Sequence, residues 1–117
     1  MIKREEVESF LMQFHAKAST FGFFFLEREK NLQGILDLEI APIDREEYIK
    51  SLTADDYCEG PKKDGYDPKG LDYFVFGKMI KGKQVYIKIS ISVPGKKPLC
   101  MSFHVAEHPM THPFKKT

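Results

Sequence analysis

The sequence predicts an α+β fold in which N-terminal helices pack on one face of a small, twisted, mainly antiparallel sheet. Two patterns carry this prediction. Near the N-terminus, apolar residues recur at three- and four-residue spacing, while Gln84–Val93 and Leu99–Ala106 alternate apolar and polar residues with period two. A chain of 117 residues fits a single domain, 1–117, and can bury a core without disulfide or metal support.

Each element has its own local reason. From Lys3 to about Thr20, Val7, Phe10, Leu11, Phe14 and Ala18 mark one face of a helix. Glu5, Glu6 and Glu8 crowd its first turns, where the helix dipole favours negative charge. Gly22 is the expected stop. Phe23–Arg28 is short and aromatic, which suits a strand better than more helix. A second helix is expected around Asn31–Leu38, with Leu32, Ile35 and Leu36 inward. Pro42 breaks the chain, and Asp44 then caps a third helix through about Leu52, with Glu47 completing a box-like pair. Thr53–Gly70 holds Gly60-Pro61, Gly65 and Pro68-Lys69-Gly70, and reads as a long irregular loop.

The strands follow. Phe74, Phe76 and Lys78 alternate with Tyr73, Val75 and Gly77. A tight turn at Lys81-Gly82 sets Phe76 opposite Ile87 and Phe74 opposite Ile89 on the buried face. The same register sets Val75 beside Lys88 and Gly77 beside Tyr86 on the other face, where glycine leaves space next to the tyrosine. The strand from Gln84 is expected to bury Val85, Ile87, Ile89, Ile91 and Val93; the next, after Pro94–Pro98, buries Leu99, Met101, Phe103 and Val105. Left over are Tyr86, Lys88, Ser90 and Ser92 on one strand and Cys100, Ser102 and His104 on the other.

Composition narrows the class. Hydrophobic residues make up 42% and charged residues 30%, the balance of a soluble globular domain. No run approaches the roughly 18 apolar residues of a membrane span, and the N-terminus lacks the apolar core of a signal peptide. No membrane partner is expected. Cys58 and Cys100 sit on unlike segments and read as reduced thiols of a cytoplasmic protein. The net charge of +1 hides an asymmetry: residues 1–57 carry seven Lys/Arg against twelve Asp/Glu, residues 58–117 eleven against five. The basic half can gather phosphate, although lysines also keep edge strands and turns unpaired.

His104 is the sharpest chemical candidate, because it shares a face with Tyr86 and Lys88. Imidazole exchanges a proton near neutral pH, while tyrosine and lysine serve as donors or charge stabilisers. Metal-free RNA cleavage needs a base for the 2′-hydroxyl, an acid for the leaving oxygen and a cation for the pentacoordinate phosphate. This face offers all three residue types. His104, His108 and His112 recur every four residues, which aligns metal ligands only on a helix, and Pro109 and Pro113 disfavour helix there. No metal and no cofactor are expected. The run Phe21, Phe23, Phe24 and Phe25 reads as core rather than as a base-stacking platform, and Glu46, Glu47, Asp55 and Asp56 read as surface.

Gly82-Lys-Gln-Val-Tyr-Ile-Lys-Ile89 and Met101-Ser-Phe-His104 resemble the MqsR family of toxins, within the RelE-like group of messenger-RNA interferases. The likeness extends more loosely to Leu52–Tyr57, and the ending Ser102–Met110 with Pro113-Phe114 is similar to a group of bacterial proteins. The resemblance implies a RelE-like fold and the toxin of a type II toxin–antitoxin system. Such a toxin is a cytoplasmic endoribonuclease that cleaves mRNA by 2′-hydroxyl transesterification and is neutralised by a cognate antitoxin protein. The family's sheet tyrosine falls on Tyr86, its basic residue of the last strand on His104 and its glutamine of the first hairpin strand near Tyr73. Its lysine ahead of the hairpin falls nearest Lys62 or Lys63. The expected catalytic set is therefore His104, Tyr86 and Tyr73, with Lys88, Lys78, Lys62 and Lys63 on RNA phosphate. A non-catalytic protein- or RNA-binding module using the same polar face is the competing reading, and a metal-dependent hydrolase built on the C-terminal histidines is a third.

Overall fold

In the computed structural model, residues 2–63 and 71–115 are described. Helix α1 (Arg4–Phe21) buries Val7, Phe10, Leu11, Phe14 and Ala18, the stripe its spacing predicts. It ends where Gly22, at φ 81°, returns its N–H to the Ala18 carbonyl. The remaining elements are β1 (Phe24–Phe25), α2 (Glu29–Leu38), α3 (Asp44–Lys50), a single 3₁₀ turn (Ala54–Asp56), β2 (Tyr57–Lys63), β3 (Asp72–Ile80), β4 (Lys83–Ser90) and β5 (Leu99–Val105). The sheet runs β1-β5-β4-β3-β2, antiparallel throughout except that β1 lies parallel to β5. This is the α+β fold that the patterning predicts.

The apolar stripe of α1 meets one face of the sheet, where the Phe10 ring stacks on Phe74 at 3.9 Å between centroids. Phe14 of that stripe and Phe76, Phe103, Val85, Ile87 and Ile89 beneath it are fully buried. The β3–β4 hairpin has the predicted register, with Phe74 opposite Ile89, Val75 opposite Lys88, Phe76 opposite Ile87 and Gly77 opposite Tyr86. Its turn places Lys81 and Gly82 at φ 51° and 81°, the doubly left-handed geometry that matches strand twist.

Helix α2 departs from expectation. It buries Asn31, Gly34 and Leu38, while Leu32 and Leu36 are 46% and 70% exposed. The reason is that α2 docks on the edge of β5 rather than on the apolar face. Strand β1 pairs only with Leu99 and Cys100, so the rest of the β5 edge needs other partners. Asn31 supplies them: Nδ2 donates to the Leu26 and Met101 carbonyls at 2.7 and 3.1 Å, and Oδ1 accepts the Phe103 N–H at 2.9 Å. Gly34 permits the approach, since a Cβ there would lie 2.7 Å from the Phe103 oxygen and 2.8 Å from the His104 Cα.

The strand ends also differ. Lys88 pairs with Ser102 but Ile89 with Cys100, so Met101 is an extra residue in β5 and Cys100 turns into the core instead of joining the polar face. Ser90 is likewise buried, and β4 stops there. Val93 is 44% exposed, not buried, because Ser92 takes φ 70° and Lys17 Nζ ties the loop through the Ile91 and Val93 carbonyls. Of Phe23–Arg28 only Phe24 and Phe25 form a strand. Helix α3 begins at Asp44 rather than after it: Ile43 holds the cap position, and the Asp44 carboxylate instead accepts the Ala41 N–H at 2.8 Å. The helix stops at Lys50, short of Leu52.

The largest difference is at the expected loop. Tyr57–Lys63 is an edge strand, held by a buried Tyr57 and paired with β3 through two register shifts. Gly60 and Pro61 sit within it, tolerable because an edge strand need not donate on both sides. The other turn residues read there, Gly65 and Pro68-Lys69-Gly70, lie outside the described residues.

Candidate functional site

Period two along β4 and β5 brings Tyr86 and His104 to directly opposed positions. Their rings stack, 5.3 Å between centroids and 16° between planes. Lys88 lies one step along β4 on the same face, with its ammonium 4.1 Å over the Tyr73 ring. Tyr86, His104 and Lys88 floor an open cleft of about 720 Å³. The first turn of α2, from Arg28 to Asn31, forms one wall, and Cys58 and Glu59 of β2 form another. Residues Glu107–Thr111, which follow β5, form the third.

That third wall depends on Gly77. The space beside Tyr86 is not empty: a Cβ on Gly77 would lie 2.6 Å from Gln84 Nε2, 2.8 Å from Met110 Sδ and 2.9 Å from His112 Cε1. Glycine thus lets the C-terminal segment cross the sheet. His112 anchors that crossing, with Nδ1 3.2 Å from the Asp56 carbonyl and Nε2 3.4 Å from Gln84 Nε2. Phe114 packs on Tyr57 at 5.3 Å, and Arg4 donates to the Phe114 carbonyl at 2.8 Å. At the other end Lys30 bonds Glu107 at 2.8 Å, joining the α2 wall to the C-terminal wall. The hydrogen bond and charge of Lys30 draw the Glu107 carboxyl below its ordinary range, with smaller help from His104 and His108.

Protonation follows from the surroundings. His104 Nδ1 lies 3.0 Å from the Val105 carbonyl. A carbonyl only accepts, so Nδ1 is assigned the hydrogen and Nε2 carries the exchangeable site. Burial, then the charge of Glu59 and the neighbouring Tyr73, raise the Tyr86 hydroxyl above its ordinary value, so it remains a donor at neutral pH. Burial first, then Glu59 and Asp56, push the Cys58 thiol up to about 12. Its Sγ lies 3.7 Å from His112 Nδ1, but that nitrogen already faces the Asp56 carbonyl as a donor and has no lone pair for the thiol. The two do not form a nucleophilic dyad.

No family model, curated protein or solved structure matches the chain. What the cleft can do follows from its side chains. It holds a proton-exchanging imidazole, a protonated phenol, a carboxylate at Glu59 and cations at Lys88 and Arg28. Arg28 has no ion pair among the described residues, so its guanidinium is open to an anionic ligand.

Of the residues predicted from sequence, His104, Tyr86 and Lys88 come together on the floor. Tyr73 lies outside the lining and meets Lys88 through its ring. Lys62 donates to Glu59 at 2.7 Å and so touches the site through that carboxylate. Lys63 instead bonds Asp72 at 2.9 Å. Lys78 follows Phe74 and Phe76 in strand parity, not Tyr73 and Gly77, and borders a separate hollow of about 70 Å³ with Asp55, Asp56 and His112. Neither Lys63 nor Lys78 lines the cleft. The three histidines are not gathered either, and among the described residues no three His, Cys, Asp or Glu side chains are grouped as metal ligands. Missed from sequence were Glu59, Arg28, Lys30 and Glu107, and His108 was weighed only as a metal ligand. Tyr57-Cys58-Glu59 does not alternate: a register shift between Tyr57 and Glu59 brings Glu59 to the cleft face, and the Gly60-Pro61 turn signal beside it masks so short a strand.

Proposed function

We propose that this protein is an endoribonuclease that cleaves RNA by attack of the 2′-hydroxyl on the adjacent phosphorus, leaving a 2′,3′-cyclic phosphate. The observation that carries the proposal is the Tyr86–His104 stack on the floor of an open cleft, one step from Lys88. His104 exchanges a proton through Nε2. Tyr86, held protonated, donates to a non-bridging phosphate oxygen, and Lys88 offsets the charge that builds in the pentacoordinate transition state. Arg28 at the wall suits a neighbouring phosphate of a polynucleotide. Together with the MqsR-like stretches around Tyr86 and His104, these groups support a RelE-like toxin of a type II toxin–antitoxin system. It would act on mRNA in the cytoplasm and be restrained by an antitoxin protein.

The test is incubation of the pure protein with single-stranded RNA in EDTA, beside His104→Ala and Tyr86→Phe. The wild type is expected to yield cyclic-phosphate ends, and His104→Ala to lose roughly 10²- to 10⁴-fold in rate. Undiminished cleavage by both variants would remove the site. RNA binding with no cleavage by the wild type would instead establish a non-catalytic module. Growth arrest on expression, relieved by the product of a small adjacent gene, tests the toxin assignment.

A further inference from the structure

Resting on the ribonuclease reading, we propose that Glu59 is the second proton-transfer group of the reaction: the general base for the 2′-hydroxyl, working with His104 as the general acid. Transesterification moves two protons, one off the attacking oxygen and one onto the leaving oxygen, and a single imidazole serves only one of them at a time. Tyr86 keeps its proton and the Cys58 thiol is pushed up to about 12. Glu107 and His108 follow His104 out of β5 and stand on its side of the cleft, whereas the attacking and leaving oxygens lie on opposite sides of the phosphorus.

Glu59 is placed for the role. It enters the cleft from β2, and His104 enters from β5, with β3 and β4 between them. Glu59 pairs with Val75, Val75 with Lys88 and Lys88 with Ser102, so Glu59 lies in the cross-strand row of the cation. That row ends at Ser102, and His104 lies two residues farther along β5, so roughly 14 Å across the strands and about 7 Å along them separate the Glu59 and His104 backbones, and the two side chains leave room for a phosphodiester between them. Lys62 lies 2.7 Å from Glu59 Oε2 and occupies that oxygen, leaving Oε1 to accept a proton. After burial, the charge of Glu59 is the largest influence on the Tyr86 hydroxyl, in keeping with a carboxylate beside the phenol.

The step balances. The 2′-hydroxyl proton passes to Glu59 as the O2′–P bond forms. The P–O5′ bond then breaks with its electron pair on O5′, and O5′ takes the Nε2 proton of His104. Glu59 ends protonated and His104 neutral, and exchange with water resets both.

The experiment compares an RNA oligonucleotide with the same oligonucleotide carrying sulfur in place of the bridging 5′-oxygen at its cleaved linkage. A thiolate leaves without an acid, so the second substrate needs only the base. Glu59→Gln is expected to lose at least about 100-fold on both substrates, and His104→Ala to lose as much on the oxygen substrate but less than about 10-fold on the sulfur one. Glu59→Asp, which keeps a carboxylate, is expected to retain roughly 10-fold more activity than Glu59→Gln. Glu59→Gln at near wild-type rates on both substrates overturns the proposal while leaving the ribonuclease reading intact. Equal losses by His104→Ala on both substrates overturn the division of roles. A wild type that cleaves neither substrate overturns the ribonuclease reading and this proposal with it.

Discussion

The face of the sheet beneath α1 is made by residues that alternate along each strand, and α1 covers it together with Leu38, Ile49, Leu52 and Ala54 from the segments that follow. The opposite face gets its floor from the same alternation, but its walls come from the start of α2, from β2 and from the segment after β5. A core face is therefore a local property repeated strand by strand. A cleft face is a meeting of segments far apart in the chain.

The comparison is sharpest in stability. Phe76, fully buried under Phe10, is expected to lose about 3–5 kcal/mol of stability on Phe76→Ala, read from urea unfolding. Tyr86→Phe, across the sheet, should stay within about 1 kcal/mol while lowering cleavage. A loss on Tyr86→Phe as large as on Phe76→Ala would mean that the cleft face is core after all.

Asn31→Ala tests the seam between the two faces. It leaves the Met101 carbonyl and the Phe103 N–H without their partner, and a cost of about 2 kcal/mol is expected, with faster hydrogen exchange along β5. Unchanged exchange at Phe103 would show that the helix does not hold that edge.

The last effect is read through pH and concerns the two thiols, one on each face. Burial pushes Cys100 from 9.0 to about 12, and Cys58 moves the same way. The folded state holds these protons more tightly than the unfolded chain does. Their stabilisation is thus full below about pH 9 and is lost as pH rises from there toward 12. Each thiol contributes a slope of up to about 1.4 kcal/mol per pH unit in that window, reduced for half-buried Cys58 by solvent. Tyr57 and Tyr86, also raised, add to the decline at higher pH. Urea midpoints at pH 8 and 10.5 should fall for the wild type and fall less for Cys100→Ala. An equal fall in both would assign the effect to the other groups.

The hairpin register was legible because a one-residue slip would send Phe74, Phe76, Ile87 and Ile89 to solvent together. The opposed placement of Tyr86 and His104 followed from the same period. The bulge at Met101 was not legible, since Leu99–Val105 alternates without interruption, and so Cys100 was placed on the wrong face. Leu32 and Leu36 misled for a related reason: apolar spacing reports a face that can be buried, whereas α2 docks through Asn31 and Gly34, whose contacts are with backbone. Gly77 was recognised as a gap beside the tyrosine, but its occupants, Met110 and His112, lie more than thirty residues later in the chain.

By itself, then, the chain's pattern determined the class of fold, the hairpin, the covering helix and the pairing of a phenol with an imidazole on one polar face. Those are consequences of periodicity, which acts between near neighbours. Only the tertiary structure decided that Glu59, Arg28 and Glu107 would stand around that pair while Lys63 and Lys78 would not. Side chains from separate elements meet where backbone edges and glycine gaps allow close approach, and no short-range pattern encodes that meeting.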